Sequence, residues 1–177
     1  MLNAKQADRV QRLLFSVEAL TVYAVLDGAL IEQLPARLRQ SGLPHACLYG
    51  GELDPELEAV VPYLVQLTAA HPLAREAIET GWLSHWGVYM LAPRGFGVRE
   101  ARNHFRTLLR VRGPQGEEWL FRYYDPRVLR AALPTFEPAQ RAEFFGPVRR
   151  CLVESETADV VLRFDADPAQ DQRIAVN

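Results

Sequence analysis

The sequence has no long apolar run, no excess of basic residues and almost no cysteine. Its longest apolar stretch, from Leu13 to Leu26, falls well short of the roughly 20 residues that a helix needs to cross a bilayer. Glu18 interrupts that stretch and no small-residue cleavage site follows it, so we do not expect a signal peptide. The net charge of −2 and the isoelectric point near 6.1 argue against nucleic acid or an anionic membrane as a partner.

The two cysteines, Cys47 and Cys151, lie far apart in the sequence and do not predict a disulfide framework. We expect both to be reduced thiols in a cytoplasmic protein. They form no CxxC motif, and the four histidines form no pair at the spacing of a helical metal site. The chain also lacks a GxSxG elbow and a phosphate-binding glycine pattern. These absences predict no metal, no cofactor and no catalytic nucleophile.

The length of 177 residues predicts one domain, and a composition of 49% hydrophobic and 24% charged residues is typical of a globular protein. In the first half, strand-like apolar segments alternate with helical ones. The predicted strands are Leu20–Leu26, Ala46–Tyr49, Pro62–Leu67 and Trp86–Leu91, and the predicted helices between them are Ala29–Gln40, Pro55–Val61 and Pro72–Gly81. Strands that are separated by helices favour parallel pairing.

The second half predicts antiparallel pairing. After a helix at Val98–Thr107, two strands at Leu108–Arg112 and Glu118–Tyr124 flank the turn sequence 113–116, which is typical of a hairpin. The remaining predicted elements are helices at Arg127–Leu133 and Pro138–Phe145 and strands near Val148–Glu154 and Asp159–Phe164. The sequence therefore predicts an α/β fold, as a single domain over residues 1–165 with a mixed β-sheet flanked by helices, and a frayed polar tail over residues 166–177.

Asp27 is the strongest enzymatic candidate, because it follows the first strand at the end where α/β enzymes commonly place catalytic groups. With His104 and Asp125 it would serve a small hydrolase or phosphotransferase, provided that the three side chains meet in one pocket. No second carboxylate follows it closely to hold a magnesium ion, and an aspartate before glycine is more typical of a turn or a helix cap. The enzymatic interpretation is therefore the alternative and not the first hypothesis.

Arg122 should lie among large apolar side chains if its predicted strand alternates regularly. A guanidinium in that place needs a carboxylate partner, for which Asp27 and Asp125 are the candidates. A structural ion pair is favoured over a ligand contact. Tryptophan, tyrosine and arginine nevertheless dominate the binding energy of protein interfaces. The residues predicted to contact a partner are Arg106, Trp119, Arg122, Tyr123 and Arg127.

Seven short motifs, taken in order, resemble the DUF4123 family. They are TVYAVLDGA (21–29), LYGG (48–51), PYLVQL (62–67), WGVYMLAP (86–93), HFRTLLRV (104–111), LFRYYDPRVL (120–129) and FFGPV (144–148). Each motif alone is a weak signal. The resemblance spans about residues 20–150, and its most specific part is the arginine, aromatic, aspartate and proline pattern of segment 120–129 together with the later FFGP.

Members of this family are adaptor chaperones of the bacterial type VI secretion system. The resemblance implies a non-enzymatic cytoplasmic protein that binds a particular effector toxin and helps load it onto the VgrG spike before firing. A subunit of the secretion baseplate is a further possibility. Many members look longer, with a helical second lobe after the region that matches Phe144–Val148, and no function of that lobe is carried over to this chain.

Overall fold

The computed structural model describes residues 1–113 and 115–177 of the chain. Within those residues seven α-helices surround a sheet of seven strands, and two further strands form a separate hairpin. The helices are α1 (Ala4–Phe15), α2 (Leu34–Ser41), α3 (Pro55–Val60), α4 (Pro72–Glu79), α5 (Val98–Thr107), α6 (Pro126–Ala132) and α7 (Pro138–Phe145). The strands are β1 (Leu20–Asp27), β2 (His45–Cys47), β3 (Pro62–Leu67), β4 (Gly87–Pro93), β5 (Arg110–Arg112), β6 (Glu118–Leu120), β7 (Arg150–Glu154), β8 (Val160–Asp165) and β9 (Gln172–Ala175). None of the helices described is long and apolar enough to cross a membrane.

The seven strands of the main sheet lie in the order β2-β3-β1-β4-β7-β8-β9. Each neighbouring pair in this order is antiparallel, with Val25 of β1, for example, opposite Leu64 of β3 on one side and Val88 of β4 on the other. The prediction of one α/β domain is confirmed. The predicted parallel pairings of a mixed sheet are wrong for the ladders described, all of which are antiparallel.

The helical connections explain why the predicted parallel pairings are replaced by antiparallel ones. β1 and β2 run in the same direction, as the prediction requires, but β3 lies between them and runs the opposite way. β3 and β4 likewise share a direction and are separated by β1. Each of these two crossovers therefore skips one position in the sheet. The local sequence predicts the crossover and its direction, but it holds no signal for the strand that fills the gap.

Helices cover both faces of the sheet, and β1 shows this most clearly. Val22, Ala24 and Leu26 face a core that includes α1, α2 and α4, whereas Tyr23 and Val25 face a core that includes α5, α6 and α7. Successive strand side chains point to opposite faces, so a strand covered on both sides is apolar at every position. The next residue, at the end of the strand, is the buried Asp27.

The late part of the chain differs from the prediction in two places. β5 and β6 are shorter than predicted, and the chain leaves the hairpin at Phe121, so that residues 122–124 belong to the turn that leads into α6. Pro114 of the predicted hairpin turn lies outside the described residues. The tail predicted to fray instead forms β9, which pairs with β8 and is followed by the fully buried Val176. A polar sequence can still form an edge strand, because only its alternate side chains need to pack.

Candidate functional site

Asp27 lies at the end of β1 and is almost completely buried, with 1% of its surface exposed. Its Oδ1 accepts a hydrogen bond from the backbone N–H of Ala29 at 3.0 Å and so caps a short 3₁₀ turn at Gly28–Leu30. The sequence favoured such a capping role for Asp27 over a catalytic one. The second carboxylate oxygen remains for a partner outside the turn.

That partner is Arg122. Its Nη2 donates a hydrogen bond to Asp27 Oδ2 at 3.0 Å and lies 3.9 Å from Asp125 Oδ2, so one nitrogen faces two carboxylates. The guanidinium carbon lies 5.7 Å from the centre of the Tyr124 ring, which adds a cation–π contact. The predicted carboxylate partners of Arg122 are therefore both found, although its side chain is 46% exposed because residue 122 is in a turn and not in a strand.

Asp125 caps α6 and binds a second arginine. Its Oδ1 accepts hydrogen bonds from the backbone N–H and the Nε of Arg127, at 2.9 and 3.0 Å, and its Oδ2 lies 2.8 Å from Arg127 Nη2. Burial alone would raise the pKa of Asp125, but the hydrogen bonds and the positive charge of Arg127 outweigh burial and lower it. The carboxylate is thus held ionised beneath an arginine whose side chain is half exposed.

We call Asp27, Arg122, Asp125 and Arg127 the aspartate–arginine cluster. It holds two positive and two negative charges, and both carboxylates already accept hydrogen bonds from backbone N–H and guanidinium groups. The cluster joins the end of β1 to the turn before α6 across a separation of about 95 residues in sequence. Its arrangement is that of a structural ion-pair network with two exposed guanidinium faces.

His104 does not join this cluster. Its Nε2 lies 3.0 Å from the carbonyl oxygen of Phe144, and its ring packs beside Gly146 at the end of α7. Burial lowers the pKa of His104 despite the nearby Phe144 carbonyl and Glu143, which act in the opposite direction. Among the described residues no hydrogen bond or ion pair links it to either aspartate, and no group of three or more histidine, cysteine, aspartate or glutamate side chains could hold a metal ion. The structure therefore brings Asp27 and Asp125 together around Arg122 but leaves out the third residue of the enzymatic hypothesis.

Of the five residues predicted to contact a partner, four are exposed and one is buried. Arg106, Trp119, Arg122 and Arg127 are exposed. Tyr123 is completely buried, its hydroxyl donates a hydrogen bond to the carbonyl oxygen of Phe105 at 2.9 Å, and burial raises its pKa. It is therefore a core residue and not a contact. The prediction placed it on a strand face, whereas the turn after the hairpin directs it into the core.

The β5–β6 hairpin presents large apolar side chains at the surface. It forms a sheet of its own, and all six of its strand residues are exposed. Three of them are large and apolar, namely Val111, Trp119 and Leu120, with exposed fractions of 38%, 51% and 55%. Val111 and Trp119 are cross-strand partners and lie on one face of the hairpin, whereas Leu120 lies on the other.

A groove with a volume of about 580 Å³ lies beside this hairpin, and we call it the aromatic groove. Three of its lining residues are Phe121, Phe136 and Phe144, whose rings lie 5.8 to 6.0 Å apart in succession. One wall is the hairpin, and the opposite wall is the surface of α7 with Gln140 and Glu143. The groove thus combines an apolar base with polar rims, as binding sites for apolar side chains commonly do.

The sequence pointed to Trp119 but missed the groove. Phe121 and Phe136 are separated by 15 positions, with α6 between them, so no periodic pattern joins them. Val111 and Leu120 lie in predicted strands, where no feature of the sequence distinguishes them from buried strand residues. The one available signal was the run of three large apolar residues, 119–121, between a glutamate and an arginine.

A family model described as "Domain of unknown function (DUF4123)" matches residues 22–143. The match includes the whole aspartate–arginine cluster and the whole β5–β6 hairpin. No curated protein and no solved structure matches the chain.

Proposed function

The chain belongs to the DUF4123 family, and on that premise we propose that it is a non-enzymatic adaptor chaperone of type VI secretion. In this role it binds an effector toxin in the cytoplasm and helps load the toxin onto the VgrG spike. The observation that carries the proposal is the exposed apolar hairpin beside the aromatic groove. Exposed apolar side chains beside a groove with polar rims are typical of sites that bind other proteins.

Trp119 is the central contact in this proposal. Its ring is half exposed and lies at the wall of the groove, and buried tryptophans are among the strongest contributors to interface energy. Arg122 and Arg127 are each held by an aspartate, so their first role is to fix the turn before α6, and their exposed faces serve a partner second. Arg106 is exposed at the end of α5, where its guanidinium lies against Gly50.

The test is co-purification of the chain with the toxin encoded beside it and with VgrG. We expect a stoichiometric complex with the toxin under native conditions, and Trp119→Ala should weaken capture of the toxin at least about tenfold, as hot-spot tryptophans do. Its unfolding midpoint should stay close to that of the parent chain because the side chain is half exposed.

Val60→Ala is the matched control, since Val60 is a similarly exposed apolar residue, on α3, with 47% of its surface accessible. Capture by this variant should equal that of the parent chain. If neither the toxin nor VgrG associates with the parent chain, the proposal fails. A stable assembly with baseplate components in the absence of any toxin would favour a structural subunit instead.

A further inference from the structure

The backbone of β5 has one free edge. The N–H of Phe121 donates to the carbonyl of Leu109 at 2.8 Å, and the N–H of Gly113 donates to the carbonyl of Glu117 at 2.7 Å. Hydrogen-bonded pairs in an antiparallel ladder recur at every second residue, so the pair between these two is Val111 with Trp119. The N–H and C=O groups of Arg110 and Arg112 consequently point away from β6, and among the described residues no third strand pairs with β5.

The aromatic groove reaches that free edge. Val111, Trp119 and Phe121 line the groove from one face of the hairpin, because Val111 is paired with Trp119 and Phe121 lies two residues further along the chain. Arg110 and Arg112, whose backbone groups point outward from β5, line it as well. The groove therefore covers the face that carries Val111 and extends to the edge of β5, where it meets the four outward backbone groups.

The two faces of the hairpin differ in chemistry. Val111 and Trp119 are paired across the ladder and share one face, whereas Arg110 and Arg112 share the other with their cross-strand partners Leu120 and Glu118. Arg110 forms an ion pair with Glu118 at 2.8 Å, and Arg112 forms none among the residues that the structure describes. In a strand added at this edge, the side chains on one face would lie beside Val111 and the aromatic groove. Those on the other face would lie beside the unpaired positive charge of Arg112.

We propose that the partner docks as an extended segment that adds to β5 as a third strand and that alternates apolar with acidic residues. This inference rests on the proposed function, because it names how the adaptor holds its partner. The added backbone hydrogen-bonds to Arg110 and Arg112, the apolar side chains of the segment enter the aromatic groove, and its carboxylates face the arginines. β-strand addition of this kind takes affinity from the main chain and specificity from alternate side chains.

Dye-labelled octapeptides provide the probe, with fluorescence anisotropy on the full chain as the measurement. One peptide alternates valine and glutamate, a second has the same composition in two blocks, and a third alternates valine and lysine. We expect the first to bind at least about tenfold more tightly than either of the others, because only it matches both the spacing and the charge of the edge. Equal binding of the three peptides would overturn the inference.

Proline substitutions locate the edge. Arg112→Pro removes an outward N–H and leaves the ladder to β6 intact, and Arg112→Ala removes the same charge but keeps the N–H. Glu118→Pro and Glu118→Ala are the matched pair of controls, since the N–H of Glu118 points out from the opposite edge and both variants release Arg110 from its ion pair. Arg112→Ala should weaken binding of the valine–glutamate peptide and Arg112→Pro should weaken it about tenfold more, whereas Glu118→Pro and Glu118→Ala should bind it equally well.

Equal effects of Arg112→Pro and Arg112→Ala, or a loss with Glu118→Pro that matches the loss with Arg112→Pro, would overturn docking at β5. Circular dichroism of each variant establishes that the fold is retained. Capture of the toxin by Arg112→Pro at the level of the parent chain would also refute the inference while leaving the adaptor function standing. If the parent chain binds the alternating peptide at β5 but captures no toxin, the docking inference stands and the proposed adaptor function fails.

Discussion

At the scale of single residues, the aspartate–arginine cluster shows how the most specific motif of the sequence serves the fold. Both aspartates are buried, and each caps the element that follows it. Asp27 caps the short 3₁₀ turn, and Asp125 caps α6. The predicted pairing of Arg122 with Asp27 or Asp125 is found, but the burial on a strand from which it was inferred is not, because residue 122 lies in a turn and its side chain is half exposed. The sequence did not predict that one nitrogen would face both, which depends on the distant end of β1.

Arg122→Gln should lower the free energy of unfolding by about 1–3 kcal/mol, since it leaves the buried carboxylate of Asp27 without its cation while water still reaches the half-exposed site. Urea unfolding followed by fluorescence would measure the change. Arg110→Gln is the control, because the Arg110–Glu118 pair is exposed on both sides and should contribute less than about 0.5 kcal/mol. A loss for Arg110→Gln as large as that for Arg122→Gln would contradict a special role for the cluster.

His104 should make stability depend on pH near neutrality. Burial lowers its pKa in the folded chain, so the unfolded chain binds more protons below the ordinary value of 6.5. The stability associated with neutral His104 is present above pH 6.5 and is lost as the pH falls through the lowered folded value. His104→Gln should therefore flatten the curve of unfolding free energy against pH below about pH 6.5. An unchanged slope in this variant would assign the dependence to other groups.

At the scale of elements, prediction succeeded wherever local signals set both ends of a segment. β3, α5 and α7 have the predicted bounds, and α3, α4 and α6 begin at a proline within one residue of the predicted start. Prediction was wrong where the outcome depends on distant residues. β6 is shorter than predicted because residues 122–124 are drawn into the turn by Asp27 and the core, and β9 was missed because its partner β8 supplies the pairing.

The ordered tail has a measurable consequence. Val176 is completely buried in the core that includes Val161, and its N–H donates to the carbonyl of Asp159 at 2.8 Å. Val176→Ala should lower the free energy of unfolding by about 1–2 kcal/mol, because it removes buried methyl groups and leaves a cavity. Arg173→Ala, at an exposed position of β9, should have almost no effect. If Val176→Ala leaves the thermal unfolding midpoint unchanged, the tail is frayed as the sequence suggested.

At the scale of the whole molecule, the chain divides into a rigid sheet between two helical layers and a hairpin that stands outside them. The sequence predicted one α/β domain from the alternation of elements. It could not predict the aromatic groove, because that site exists only when α7 and the hairpin are brought together around Phe121 and Phe136. Sites assembled from separate elements have no contiguous pattern for a sequence to show.

Rates of amide hydrogen exchange should distinguish the main sheet from the β5–β6 hairpin. Amides of Val22–Leu26 lie in a strand that is paired on both sides, so they should exchange only through near-global unfolding. Peptides that cover residues 110–112 and 118–120 should exchange orders of magnitude faster in the free chain and become protected when a partner is bound. Mass spectrometry of the chain with and without its toxin measures both. Slow exchange of the hairpin in the free chain would mean that it is already covered.

The separation of the hairpin from the main sheet also affects how such a protein can diversify. Its six strand positions are exposed, so replacements there cost the fold little, while replacements in β1 or the aspartate–arginine cluster disturb buried groups. Under the proposed function, recognition can therefore change by mutation of a few codons without loss of the scaffold. Chains that share this core could then serve different cargoes, with the hairpin as the part that varies.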